Sequence, residues 1–309
     1  MNFLRNIFIV TLSLSTIILT SCNDNDSVEK GSAQVDVTDA AVDAENITGV
    51  YLSVSEIHAG SDGEVKTLVT FDEPITFNVM DYQNGETFDL GEGEIEVGIY
   101  DELRLILNDG SPSSASASSY IEFENGTTEE LVIPSGTSSG YKVKGDFQIS
   151  ANNESNLVID IDLRKALVIT GTEDYMLRPT ARLVVNESLS VISGSVTNFT
   201  PDANTKWVVY AYAEGTYDES ETNEPITGDT RFENSINSAV VSDDGTYKLS
   251  FMEEGEYELI VAKYEMNETE SSFDFVTTVE VDMMLGLNIL NLVTLESGGN
   301  VNIDLAIVN

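Results

Sequence analysis

Leu103-Arg104-Leu105-Ile106-Leu107 places a leucine at every second position. Side chains of an extended strand alternate between its faces, so Leu103, Leu105 and Leu107 line one face while Arg104 and Ile106 occupy the other. The same two-residue period recurs on either side. Toward the N-terminus, Val35 and Val37 alternate with Asp36 and Thr38. Ile47, Val50, Leu52, Val54 and Ile57 then lead into the turn signal Gly60-Ser61-Asp62-Gly63. Val65 to Thr70 and Ile75 to Met80 read as the next strands. Toward the C-terminus the series continues through Tyr120 to Phe123, Leu131 to Ile133, Tyr141 to Val143, Phe147 to Ile149, Leu157 to Leu163 and Arg182 to Val185.

Beyond residue 188 the pattern restarts. Val208, Tyr210 and Tyr212 alternate after Trp207, and Ser242-Asp243-Asp244-Gly245-Thr246 is a tight turn feeding Tyr247, Leu249 and Phe251. Val301, Ile303, Leu305 and Ile307 form a final alternation. Few stretches sustain a 3.6-residue period. Thr38 to Glu45 reads as one or two helical turns with Thr38 as N-cap, and the apolar run Met283 to Leu295 as a short capping helix. Short strands with frequent turn signals predict an all-β chain of two sandwich-like domains in tandem, 32–187 and 188–309, each long enough to bury a core.

The start of the chain has a different character. Arg5 precedes an apolar run, Ile7 to Leu19, the layout of an export signal and too short to cross a bilayer as a helix. It ends in Leu19-Thr20-Ser21-Cys22, which resembles the lipobox of bacterial lipoproteins. The resemblance implies a cleaved signal peptide over residues 1–21 and a diacylglyceryl anchor on Cys22, while the acidic residues just after Cys22 resemble the surface-export signals of Bacteroidota lipoproteins, which implies outer-membrane attachment facing the cell exterior. Cys22 is the only cysteine, so no intramolecular disulfide is available. Residues 22–31 are polar and predict a flexible tether. Asp26-Ser27-Val28 resembles the O-glycosylation acceptor of Bacteroidota, with Ser27 as the modified residue.

Asp and Glu number 54 against 14 Lys and Arg, a formal net charge of −40. Such a surface repels phosphate backbones, which excludes nucleic acid as a partner, and it disfavours anionic headgroups beyond the lipid tether. It suits solubility in a crowded exterior or the binding of divalent cations.

Four landmarks resemble those of one bacterial lipoprotein family, the domain-of-unknown-function family 4382. They are Val35-Asp36-Val37-Thr38-Asp39-Ala40, Leu103-Arg104-Leu105-Ile106-Leu107, Ile133-Pro134-Ser135-Gly136 and Ile159-Asp160-Ile161-Asp162-Leu163-Arg164-Lys165. Ala41 stands where the family often has proline. The resemblance implies an envelope module without an agreed activity. The Asp-Gly-Thr-Tyr turn and the Gly-x-Tyr strand near Tyr257 are similar to carboxypeptidase regulatory-like, transthyretin-type sandwiches, which implies a spacer or binding platform.

Candidate chemistry is sparse. Gly136-Thr137-Ser138-Ser139-Gly140 matches a nucleophile elbow in spelling, but it leads into a strand, and His58 is the only histidine. It reads as a turn, and His58 as a partly exposed strand residue. Asp160 and Asp162, two apart on a strand, share a face with Arg164. Paired carboxylates suit glycoside hydrolysis or calcium, but the adjacent arginine favours a surface or interface ion-pair ladder. Asp36, Asp39 and Asp43 form a second acidic cluster and a candidate calcium site. The expectation is a non-catalytic, lipid-anchored binding module for glycan or protein partners. The alternatives are a carboxylate-dependent carbohydrate-active enzyme and an inward-facing structural lipoprotein.

Overall fold

The computed structural model describes residues 28–39, 47–108, 118–134, 136, 138–170, 174–185, 189–225, 230–267 and 272–308. The apolar leader, Cys22, Ser27, Asp43, Thr137 and most of the Thr38 to Glu45 stretch lie outside them.

The N-terminal region contains β1 (Lys30–Asp39), β2 (Ile47–Ser61), β3 (Glu64–Asn78), β4 (Phe88–Glu96), β5 (Gly98–Leu107), β6 (Tyr120–Phe123), β7 (Thr128–Val132), β8 (Tyr141–Ile149) and β9 (Glu154–Ile161). A single helical turn, α1 (Leu163–Ala166), is followed by β10 (Leu167–Ile169), β11 (Tyr175–Leu177) and β12 (Arg182–Val185). All twelve strands belong to one hydrogen-bonded sheet, ordered β10-β11-β7-β6-β2-β5-β8-β12-β9-β1-β4, with β3 also paired to β2. The two-residue loop between β2 and β3 has positive φ at both Asp62 (50°) and Gly63 (85°), the turn whose twist matches two antiparallel strands.

This sheet wraps around a single core. Leu103, Leu105 and Leu107 point inward with Val35, Val37, Leu52, Val54, Ile57, Val143, Ile159 and Ile161. The wrap brings β4 against β3. A Cβ on Gly93 would sit 2.0 Å from the Leu68 carbonyl oxygen, so only glycine permits the approach.

The C-terminal region comprises β13 (Ser190–Thr197), β14 (Thr205–Ala213), β15 (Asn237–Val240), β16 (Thr246–Met252), β17 (Gly255–Asn267), β18 (Ser272–Val279), β19 (Val281–Leu285), β20 (Asn288–Leu290), β21 (Val293–Leu295), β22 (Asn300–Asn302) and β23 (Asp304–Ile307). One sheet of six strands runs β16-β13-β23-β19-β20, with β22 beside β13; one of five runs β15-β14-β17-β18, with β21 beside β17. Ile192, Leu249 and Leu305 of the first sheet, with Ile303 between β22 and β23, pack on Val209, Ala211, Leu259 and Val261 of the second. The chain is therefore all-β, as its alternation predicts.

Two local expectations are corrected. Met283 to Leu295 is a hairpin and a further strand, not a capping helix, with Met283 paired to Leu290 and Met284 to Ile289. The apolar content that suggests a helix is split between buried Met283, Val293 and Leu295 and exposed Leu285, Leu287 and Ile289. Leu157 to Leu163 is not one strand: β9 stops at Ile161 and Leu163 opens α1. The alternation of Val208, Tyr210 and Tyr212 holds, on the face of β14 turned away from the inter-sheet core. They join Phe232 and Tyr264 in a separate aromatic cluster on the other side of the five-stranded sheet.

Candidate functional site

Alternation fails at the ends of β1 and β9. Val37, Thr38 and Asp39 are all buried, as are Leu157 through Ile161. A strand buried on both faces is covered twice, and here the second cover comes from the C-terminal region. Asp36 and Thr38 face away from the core. β1 and β9 pair in parallel with Thr38 opposite Asp160, and β12 places Arg182 opposite Asp160. A polar row Thr38-Asp160-Arg182 thus crosses three strands toward Asn237, Ser238, Lys248 and Ser250, which with Asp39 and Asp160 enclose a cavity of about 10 Å3. That is close to the size of one water.

The ladder predicted among Asp160, Asp162 and Arg164 forms only in part. Arg164 grips Asp162 with two hydrogen bonds, Nε to Oδ1 at 3.0 Å and Nη2 to Oδ2 at 2.6 Å. Asp160 takes a different partner, Arg182, whose Nε donates to Oδ2 at 2.7 Å. Neither pair is a solvated surface bridge: the Arg164 and Asp162 side chains are 6% and 12% exposed. Arg164 reaches the C-terminal region, donating to Ser235 Oγ at 3.2 Å and lying 5.0 Å from the Tyr210 ring centroid. Lys165 Nζ donates to the Ser235 carbonyl oxygen at 2.5 Å and lies 3.5 Å from Asp162. One helical turn of the N-terminal region is therefore fastened to the C-terminal region by two cations.

Burial dominates the electrostatics. It pushes the Asp39 carboxyl well above the ordinary range, reinforced by repulsion from Asp162 and Asp160 and opposed by the Leu163 N–H, which donates to Oδ1 at 3.2 Å. Burial also raises Asp160, with Arg182 opposing, and one of its oxygens, Oδ1, has no hydrogen-bond partner among the described residues. Burial lowers Lys165, whereas at Arg164 the burial cost is outweighed by Asp162 and the guanidinium is held charged.

Beside this cluster lies an open cleft of about 550 Å3. Arg164, Lys165 and Arg178 contribute its positive charge, Val168 and Ile169 an apolar wall, and Thr180 a hydroxyl. Thr230, Glu233 and Asn234 close it from the C-terminal side. A volume of this size is typical of small-ligand sites.

The remaining candidates lie elsewhere. Asp36 and Asp39 are three apart on β1 and so point to opposite faces, with Asp39 in the row of Val35 and Val37. Asp36 instead accepts from Gln34 Nε2 at 3.1 Å and from Thr87 Oγ1 at 3.2 Å. Among the described residues no three carboxylate, imidazole or thiolate groups converge to hold a metal ion. His58 pairs with Glu56 at 2.6 Å. Gly136 lies in a turn, its N–H donating to the Ile133 carbonyl at 3.0 Å.

Lys165, Arg178 and Arg182 carry much of the site and are absent from the sequence candidates. One signal was available. With Arg164 they place four of the chain's 14 basic residues between positions 164 and 182, in a chain with 54 acidic ones.

Among the described residues no helix is long and apolar enough to cross a membrane. No curated protein matches the chain. Among solved structures, the chain is similar to the Bacillus anthracis TIE protein at 7% identity and TM-score 0.18, covering 91% of this chain and 34% of that one. It thus spans about a third of that protein's length. GBS52, the minor pilin of Streptococcus agalactiae, aligns at 9% identity and TM-score 0.20, over 90% of this chain and 97% of its own. The fimbrial anchor protein Mfa2 of Porphyromonas gingivalis aligns at 10% identity and TM-score 0.18, over 89% and 90%. At such scores no shared function follows. The family comparison is more definite: residues 30–179, the span from β1 to just beyond β11, match the family described as Domain of unknown function (DUF4382).

Proposed function

We infer that this protein is a non-catalytic lipoprotein of the bacterial outer membrane, tethered through acylated Cys22 and facing the cell exterior as a binding module. The C-terminal region, a sandwich of the carboxypeptidase regulatory-like kind, serves as a platform that completes the binding cleft. The observation that carries this reading is the cleft at the junction, built from both regions and electropositive on a chain of net charge −40. The alternative of a carbohydrate-active enzyme using Asp160 fits less well. That carboxyl is 4% exposed and tied to Arg182, with no access for a glycosidic bond.

Protease shaving of intact cells, followed by immunodetection of the C-terminal region, tests the placement. Loss of signal from intact cells, together with release of a Cys22→Ala variant from the membrane fraction, is the expected result. Protection until the outer membrane is broken would refute outward presentation and favour an inward-facing structural role.

A further inference from the structure

Four cations lie between positions 164 and 182 at the junction, and three of them are engaged within the protein. Arg164 is held by Asp162, Lys165 by Asp162 and the Ser235 carbonyl, and Arg182 by Asp160. Arg178 differs. Its guanidinium makes no ion pair or side-chain hydrogen bond among the described residues, although it lines the 550 Å3 cleft. Its backbone, by contrast, is fixed. The Arg178 N–H donates to the Ala166 carbonyl at 2.7 Å, and the Arg178 carbonyl accepts from Tyr141 Oη at 3.0 Å and Thr180 N–H at 2.9 Å. A cation on a clamped backbone, half-buried and unpaired, is preorganised for an anion from outside.

The surroundings narrow the choice of anion. Arg164, Lys165 and Arg178 line the cleft against Glu233, and Asp162 lies directly behind, which leaves one net positive charge among the described residues. That balance suits a monoanion better than a dianion such as phosphate. A planar guanidinium also matches a carboxylate bidentately. Around it, Val168 and the 56%-exposed Ile169 offer an apolar surface, and Thr180 and Thr230 offer hydroxyls. An apolar patch flanked by two threonine hydroxyls fits a sugar ring, which has an apolar face and a polar rim.

We propose that the junction cleft binds a carboxylate-bearing saccharide, with the carboxylate seated on Arg178 and the ring against Val168 and Ile169. This rests on the reading of the protein as a binding module and names its ligand class. Calorimetric titration of the full chain in detergent with D-glucuronate, its methyl ester and inorganic phosphate tests it. Glucuronate is expected to bind saturably, and the neutral ester at least tenfold more weakly. Arg178→Gln should lose at least tenfold in glucuronate affinity while melting like the wild type, because its side chain has no internal partner among the described residues; Arg178→Lys should lose less. Absence of glucuronate binding, tighter binding of phosphate, or an unaffected Arg178→Gln variant would overturn the assignment. Equal binding of acid and ester would overturn the carboxylate assignment while leaving a saccharide module standing. An inward-facing result from shaving would remove the surface-module reading without altering the titration.

Discussion

Replacing Arg164 with methionine removes the guanidinium of a buried pair and keeps most of the side-chain volume. The variant leaves the Asp162 carboxylate, 12% exposed, with Lys165 at 3.5 Å as its remaining cation. Breaking a buried ion pair from one side costs about 3–5 kcal/mol, because the surviving charge stays desolvated. Lys165 and the retained methylene packing offset part of this, so a loss of about 3 kcal/mol is expected. The Asp162→Asn/Arg164→Met double variant removes both charges and should recover to within about 1 kcal/mol of the wild type. Urea unfolding provides the assay. Trp207, the only tryptophan, lies on β14 and reports on the C-terminal region, whereas far-UV circular dichroism reports on both. Arg164 also ties the regions together through Ser235 and Tyr210, so the two probes should coincide in the wild type and separate in Arg164→Met. A loss under about 1 kcal/mol, or a double variant as unstable as the single, would refute the account of the junction as a desolvated pair.

Two further predictions concern the strand ends and the wrap. Burial raises the Asp39 carboxyl above its ordinary value of 3.8, so its contribution favours the folded state fully below that value and is lost as pH rises through the folded one. Asp39→Asn should therefore match the wild type near about pH 4 and exceed it in urea midpoint near about pH 8; a gap that does not widen with pH would contradict this. Gly93→Ala drives a Cβ to 2.0 Å from the Leu68 carbonyl oxygen, a backbone atom that cannot yield cheaply. The expected cost is about 1–3 kcal/mol, read from thermal melts.

Strand identity was legible wherever one face meets the core and the other meets water. Leu103, Leu105 and Leu107 illustrate this, as do Leu305 and Ile307, all of them buried. The same rule misleads where burial is not one-sided. Asp160 reads as an outward residue of β9, and so it is, but its outer face is covered by a second set of sheets, which no local period encodes. Its partner Arg182 is 22 residues away and becomes a neighbour only through strand register. Met283 to Leu295 fails in the opposite sense. Leu287, at the hairpin tip, is 96% exposed, so apolar composition there does not mark an inner face. The cleft is less legible still, because Arg178, Ile169 and Glu233 converge only in three dimensions. What the sequence does disclose is the unusual density of cations around residues 164–182.

The pairing of β13 with β22 and β23 carries a kinetic consequence. Ser195 N–H donates to Asp304 Oδ1, 109 positions away, and β13 meets both late strands in parallel. Loop-closure entropy must be met before such contacts gain anything, so this sheet is among the slow steps of folding. A chain emerging from its N-terminus cannot complete the six-stranded sheet until residues 300–307 have followed. It would remain open, and its −40 charge would hold emerging segments apart, for most of the time it takes to be made.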